Sequence, residues 1–395
     1  MFKSQQAILN IVKAFLNDQK NIDIPVDFDW RKFNRLVEIN SISGIVGYVF
    51  QQTNSNKITE DIREKYEDEL LATIGITTMR DEDMKALIDL LNENGIDHLL
   101  FKGYIVKDLY TAPELRTYGD IDFAIRRECR GKCNALMRKS GYRLLDDWEP
   151  VYSYEKNNEH YEIHTELLDS NLNSNYDYQG YFRDFWKQTE RLEQHSYILS
   201  PEFHLLYLLM HIAKHVYSSG AGIRMYLDIA FYLRAYREQI DWEHFQQEVH
   251  TLKLDRFVNT VFTAVEKWLE IKSPMPLKAV DAQFMDEFMT FTLNGGVFGH
   301  NSKAAKLSEV RKNSKDGTVK RADTLLKRAF PSANTIRSRY TYLDKKPWLL
   351  PVAWVHRFFK KKGTTAKYLE ESKRILSTNK EDVIELNNFY RKIGI

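Results

Sequence analysis

The chain has 395 residues, a formal net charge of +2, 43% hydrophobic residues, 28% charged residues and 13% aromatics. Its length allows two or three domains, and its composition is that of a folded globular protein rather than a disordered one. The near-neutral balance excludes nucleic-acid binding through overall charge, so any basic surface must be local.

The first 95 residues predict helices. Ile8, Ile11, Val12 and Phe15 recur at helical spacing. The opening stretch MFKSQQAILNIVKAFLND lacks the small-residue cleavage site of a signal peptide and reads as an amphipathic helix. Pro25 makes a break. Phe33 to Phe50 forms a second amphipathic segment, interrupted at Ser41-Ile42-Ser43-Gly44. Ile58 to Asn94 reads as one long or two consecutive helices that stop at Gly95. No apolar stretch approaches the roughly 20 residues of a membrane span. A cytoplasmic protein is the expectation.

From Ile96 the pattern changes to short apolar runs mixed with helices. Ile96 to Phe101 predicts a buried strand, Tyr104 to Tyr110 a helix, and Asp120 to Ile125 a second strand. Arg127 to Ser140 predicts a helix stopped by Gly141. It carries the two cysteines, Cys129 and Cys133, which read as reduced thiols because two ligands do not complete a zinc site. Tyr142 to Leu145, Val151 to Tyr154 and His160 to Leu167 read as strands. Beyond Pro201 the chain is helical again: Glu202 to Val216, Ile223 to Arg237, Trp242 to Ile271 and Ala279 to Leu293. The sequence thus predicts an α+β fold. A helical region spans 1–95, a small mixed-sheet core 96–199, a helical domain 200–300, and a basic loop with a helical tail 301–395.

Side chains alternate along a strand, so Asp120 and Asp122 point to one face, with Ile121 and Phe123 on the other. Two carboxylates this close repel unless a cation neutralises them. Mg²⁺ takes oxygen ligands and is commonly shared with substrate phosphates. The strand from His160 offers a third carboxylate, because His160, Glu162, His164 and Glu166 share one face by the same alternation. Gly103 provides a turn where backbone N–H groups can approach phosphate. Arg116 offers a planar fork for a phosphate oxygen.

Taken together, Leu100-Phe101-Lys102-Gly103, Leu115-Arg116, Asp120-Ile121-Asp122 and Glu162-Ile163-His164 resemble the uncharacterised nucleotidyltransferase family of the DNA polymerase beta-like nucleotidyltransferase superfamily. The resemblance continues through His211, Lys214, His215, Arg224 and Leu227-Asp228. It extends to Phe330-Pro331, Leu349-Leu350-Pro351, Trp354 and Arg357. It implies a nucleotidyltransferase-type core, with Asp120, Asp122 and Glu162 as catalytic metal ligands for Mg²⁺, or Mn²⁺ as the alternative. It implies Lys102, Gly103, Arg116, Lys214, His215 and Arg224 as nucleotide and phosphate contacts, supported by His164, His211 and Asp228. The substrate is then an NTP, with ATP expected, and the acceptor is a hydroxyl or phosphate of a small molecule or protein. Two departures are visible. Lys102-Gly103-Tyr104 stands where the superfamily has Gly-Ser or Gly-Gly, and Glu162 stands where aspartate is usual. An inactive nucleotide-binding module of the same fold and a nucleic-acid-modifying transferase are the alternative readings.

His204, His211 and His215 share one helix face, and a half-buried histidine row is the simplest account of them. Asp228 lies one turn beyond Arg224, where it can fix that guanidinium. The basic stretches between Lys303 and Lys362, interleaved with Trp348, Trp354, Phe358 and Phe359, read first as solvated surface over packed aromatics. A nucleic acid or an anionic membrane surface is the alternative partner for them.

Overall fold

The computed structural model describes residues 3–25, 29–173, 176–218, 220–297, 325–327, 329–336, 340, 342–360 and 379–395. Four helices come first: α1 (Lys3–Leu16), α2 (Trp30–Ile39), α3 (Ser43–Gln51) and α4 (Glu60–Glu93). The Asp29 side chain caps α2 by accepting from Lys32 N–H, and Gly95, at φ +58°, turns the chain out of α4.

The sheet region follows: β1 (His98–Leu100), α5 (Gly103–Lys107), β2 (Ile121–Ile125), α6 (Arg130–Lys139), β3 (Arg143–Trp148), β4 (Val151–Lys156), β5 (Glu159–His164), α7 (Tyr178–Phe182), β6 (Thr189–Glu193) and β7 (Ser196–Leu199). Five helices come next: α8 (Pro201–Ser218), α9 (Ile223–Tyr236), α10 (Trp242–Thr251), α11 (Asp255–Leu269) and α12 (Ala282–Gly295). The helix predicted from Trp242 to Ile271 is therefore two, separated at Lys253, whose φ of +56° cannot continue a helix. Near the carboxyl end, the described residues form two short helical turns, Ala333–Ile336 and Tyr342–Lys345, and two longer helices, α13 (Leu350–Lys360) and α14 (Lys380–Ile393).

The fold is α+β, as the sequence predicts. The seven strands among the described residues form one mixed sheet in the order β3-β4-β5-β2-β1-β7-β6. The central pairs β2–β5 and β1–β7 are parallel, and β1–β2 is antiparallel. The β6–β7 hairpin adds an edge that the sequence reading does not contain.

The sheet separates two apolar cores. Leu99 and Ala124 face each other across β1–β2 and belong to the larger core, whereas the next pair, Leu100 and Phe123, belongs to the smaller one. The smaller core lies under α6 and the last turns of α4, through Met84, Leu87, Leu91, Cys133 and Met137. The larger core joins α1–α3 to α8–α12 in one cluster. Phe15 of α1 packs edge-on against Phe231 of α9 with centroids 6.0 Å apart. Asn40, fully buried just after α2, donates from Nδ2 to the carbonyls of Leu36 and Leu293, both at 2.8 Å. Its Oδ1 accepts from Ile223 N–H, at the first turn of α9, at 2.9 Å. α14 closes the same core, with Tyr390 donating its hydroxyl to the Val216 carbonyl at 2.8 Å.

Candidate active site

The parallel register of β2 and β5 sets Asp122 beside Glu162 and Ala124 beside His164. On the far side of β5, Ser153 of β4 stands opposite Glu162. Asp120 comes just before β2 begins, so the carboxylates gather at one end of the central strands. They form the floor of a cleft of about 440 Å³. Lys102, Gly103, Arg116, Asp120, Asp122, Glu162, His164, His211, Lys214, His215 and Arg224 all line it. Asp228 lies behind it, lining a smaller adjoining cavity of about 70 Å³. Among the described residues, none beyond Val297 lines the cleft.

β5 ends at His164, so Glu166 does not continue the face predicted for it. It turns away and accepts from Arg127 at 2.8 Å. His160 joins the site instead, with Nδ1 3.0 Å from Asp120 Oδ1. His164 Nε2 lies 2.8 Å from Asp122 Oδ1 and 3.6 Å from Glu162 Oε2. The donors form two sets that share Glu162: Asp120, His160 and Glu162, and Asp122, Glu162 and His164. Within each set the ligand atoms lie no more than 4.8 Å apart. Carboxylate and imidazole donors at this spacing suit a divalent cation.

The charges in the floor are unevenly balanced. Burial and the neighbouring Glu162 and Asp122 carboxylates push Asp120 up from the usual carboxylate range. Burial also pushes on Asp122, but the Lys102 ammonium and His164 overrule it and hold Asp122 well below that range. Glu162 is held down chiefly by the neighbouring His164 imidazole. Lys102 Nζ donates to Asp122 Oδ1 at 2.7 Å. Its backbone sits at φ +55°, a left-handed conformation that favours glycine. Gly103 leaves space that its neighbour fills: a Cβ there would overlap Arg116 Nη1 and stand 3.1 Å from its Cζ.

The opposite wall comes from α8 and α9. His211 and His215, one turn apart, meet edge to face with ring centroids 4.5 Å apart. Burial pulls His215 down to about 4, helped by the Lys214 charge, and holds His211 well below the usual histidine value. His204 parts from this row and packs in the core against Tyr232, 5.3 Å away. Lys214 donates to Asp169 Oδ1 at 2.6 Å at the cleft mouth. Arg224 Nη1 donates to the Thr117 carbonyl and hydroxyl, at 2.5 and 2.7 Å. Its Nε is buried without a hydrogen-bond partner among the described residues. Asp228 does not fix Arg224. It holds Arg116, Nη2 to Oδ2 at 2.7 Å, because the chain fold rather than helical spacing decides which guanidinium reaches it.

A family model described as "uncharacterised nucleotidyltransferase" matches residues 26–270, more than half of the chain. The chain belongs to this family. No curated protein and no solved structure was found to match it. The match begins at residue 26, upstream of the Lys102-Gly103 turn, and so takes in α2, α3 and α4 together with every cleft-lining residue named except Val297. It ends before Phe330-Pro331 and the Leu349-Leu350-Pro351 stretch, which lie outside the matched span. Enzymes of the kind that the family's description names transfer a nucleoside monophosphate from a nucleoside triphosphate. No helix among the described residues is long and apolar enough to cross a membrane. Thr117, which holds Arg224, and His160 as a ligand are not among the residues that the sequence motifs mark. The alternation of β5 carries the signal for His160, whereas nothing local marks Thr117.

Proposed function

We propose that the chain is a divalent-metal-dependent nucleotidyltransferase. It moves an NMP from an NTP, with ATP expected, to a hydroxyl or phosphate oxygen of a small-molecule or protein acceptor. The observation that carries this reading is the pairing of Asp122 with Glu162 on adjacent parallel strands, with Asp120 two residues upstream. Asp120, Asp122 and Glu162 would hold Mg²⁺ or Mn²⁺, with His160 and His164 within reach. Bound there, the ions would neutralise triphosphate charge and lower the pKa of the acceptor hydroxyl.

Lys214, His215 and Arg224 contact the triphosphate from the helical wall, and Lys102 and Gly103 border it at the turn. Arg116 acts from beneath, through Asp228 and the wall of the turn, rather than as a free fork. In the transfer the acceptor oxygen bonds to the α-phosphorus as the bond from that phosphorus to the bridging oxygen breaks. Pyrophosphate leaves with the electron pair, and where the acceptor is a hydroxyl Glu162 takes its proton.

Incubation with each α-labelled NTP, Mg²⁺ or Mn²⁺, and a cell extract tests the reading. The wild type transfers label and Asp122→Asn does not. Equal labelling by both, or none by the wild type with any nucleotide, overturns it. One observation favours a second reading, a binding module without turnover: Lys102 already neutralises Asp122 at 2.7 Å. Metal-dependent NTP binding with no transferred label would decide for that module.

A further inference from the structure

We propose that the face of α13 carrying Trp348, Val352 and Val355 docks on an anionic phospholipid membrane surface. Trp348 lies in the turn Pro347–Leu349 that leads into α13, and the three side chains are 72%, 46% and 54% exposed. Their spacing of four and then three residues puts them on one side of the helix. The other side is already occupied. Ala353 is buried with Ile336, Tyr340 and Leu343, and Trp354 donates Nε1–H to the Pro331 carbonyl at 2.8 Å. The helix is thus anchored by one face and presents the other to solvent. This differs from the packed aromatics that the sequence predicts, because only Trp354 of the two tryptophans turns inward.

Charge identifies the occupant. From Lys345 to Lys360 the sequence carries Lys345, Lys346, Arg357 and Lys360 and no acidic residue. Basic residues at both ends of a short apolar segment are attracted to anionic headgroups, and tryptophan favours the headgroup boundary. Eleven residues of helix are too few to span a bilayer but enough to lie in its surface. Another exposed apolar stripe, Leu71, Ile76 and Met79 on α4, is bordered by exposed Glu67, Asp68, Glu69 and Glu82. The same membrane would repel it. The α13 face lies outside the family match and contributes nothing to the cleft, so it is independent of the transfer reaction.

Sedimentation of the full chain with vesicles tests the proposal. The wild type sediments with vesicles about one-third phosphatidylglycerol in phosphatidylcholine, and not with phosphatidylcholine alone. The triple variant Trp348→Ser, Val352→Ser, Val355→Ser lowers the partition coefficient about tenfold or more, with an unchanged circular-dichroism melt. If that variant misfolds, Lys345→Gln with Lys346→Gln gives the same reading, with a loss of about tenfold. No sedimentation with the anionic vesicles overturns the proposal, as does equal sedimentation of wild type and a folded variant. Vesicle-independent binding of a labelled oligonucleotide, lost in the lysine variant, overturns it in favour of nucleic acid.

Discussion

Arg116 and Asp228, 112 residues apart in sequence, are clasped by two parallel hydrogen bonds, Nε to Oδ1 at 3.1 Å and Nη2 to Oδ2 at 2.7 Å. Both side chains are 8% exposed, and the Tyr110 hydroxyl donates to the same Oδ1 at 2.7 Å. A bidentate pair of this kind positions the turn at Gly103 against α9. Asp228→Asn keeps the shape and leaves Arg116 buried without its counter-charge. The expected loss of stability is about 3–5 kcal/mol by urea denaturation, because the surviving charge stays desolvated. A loss below about 1 kcal/mol would show that the pair is dispensable to the fold.

Arg224 has the opposite electrostatic position. It is 6% exposed, and its described side-chain bonds go to Thr117 rather than to a carboxylate. Burial, with the nearby Arg116 charge, pulls it down to about 10. An anion in the cleft would relieve that cost. Arg224→Gln therefore weakens binding of a non-hydrolysable NTP analogue by about tenfold or more in calorimetry, while stability falls by less than about 1 kcal/mol. Unchanged affinity would remove Arg224 from the phosphate wall.

Lys102 combines a backbone that favours glycine with a side chain that neutralises Asp122. Lys102→Gly relieves backbone strain of about 1–3 kcal/mol and removes a cation that competes with metal for the same carboxylate. Added Mn²⁺ should then raise the melting temperature more in the variant than in the wild type. An equal rise in both proteins would mean that Lys102 and the ion do not compete.

His204 is buried at 2% exposure, its Nε2 lacks a partner among the described residues, and burial pulls it down to about 4. Its folded pKa lies below the unfolded value, so between those values the unfolded chain binds the extra proton. Stability is intact above about pH 6.5 and falls as pH drops towards 4, by about 1.4 kcal/mol per pH unit for this histidine. His215 adds a loss of the same sign over the same window. Denaturation at pH 7 and pH 5 checks this, and His204→Gln should flatten the dependence. A slope unchanged by the substitution would place the acid sensitivity elsewhere.

The Asp-x-Asp and Glu-x-His strands are legible because alternation is a local rule, and Asp122 and Glu162 keep their facing positions once their strands pair. Which strands pair is not local: β2 meets β5 across some forty residues, and no spacing in the sequence announces it. The β6–β7 hairpin escapes because Glu190, Arg191, Leu192 and Glu193 are all exposed, which hides any period-two signal. The Arg116–Asp228 clasp escapes for the complementary reason. Helical spacing favours Arg224 as the partner of Asp228, and tertiary packing supplies a better one.

Asn40 makes no contact with the cleft, yet its carboxamide oxygen caps the amide that begins α9, one residue before Arg224. Thr117, which holds Arg224, in turn donates its hydroxyl to the Ser41 carbonyl at 3.1 Å. The short link after α2 thus sets the placement of a cleft arginine from behind. In a genetic screen, substitutions at Asn40 would score as loss-of-function alleles although its side chain does not line the cleft. A second-site suppressor would be sought in α9 or α12 rather than among the acidic residues.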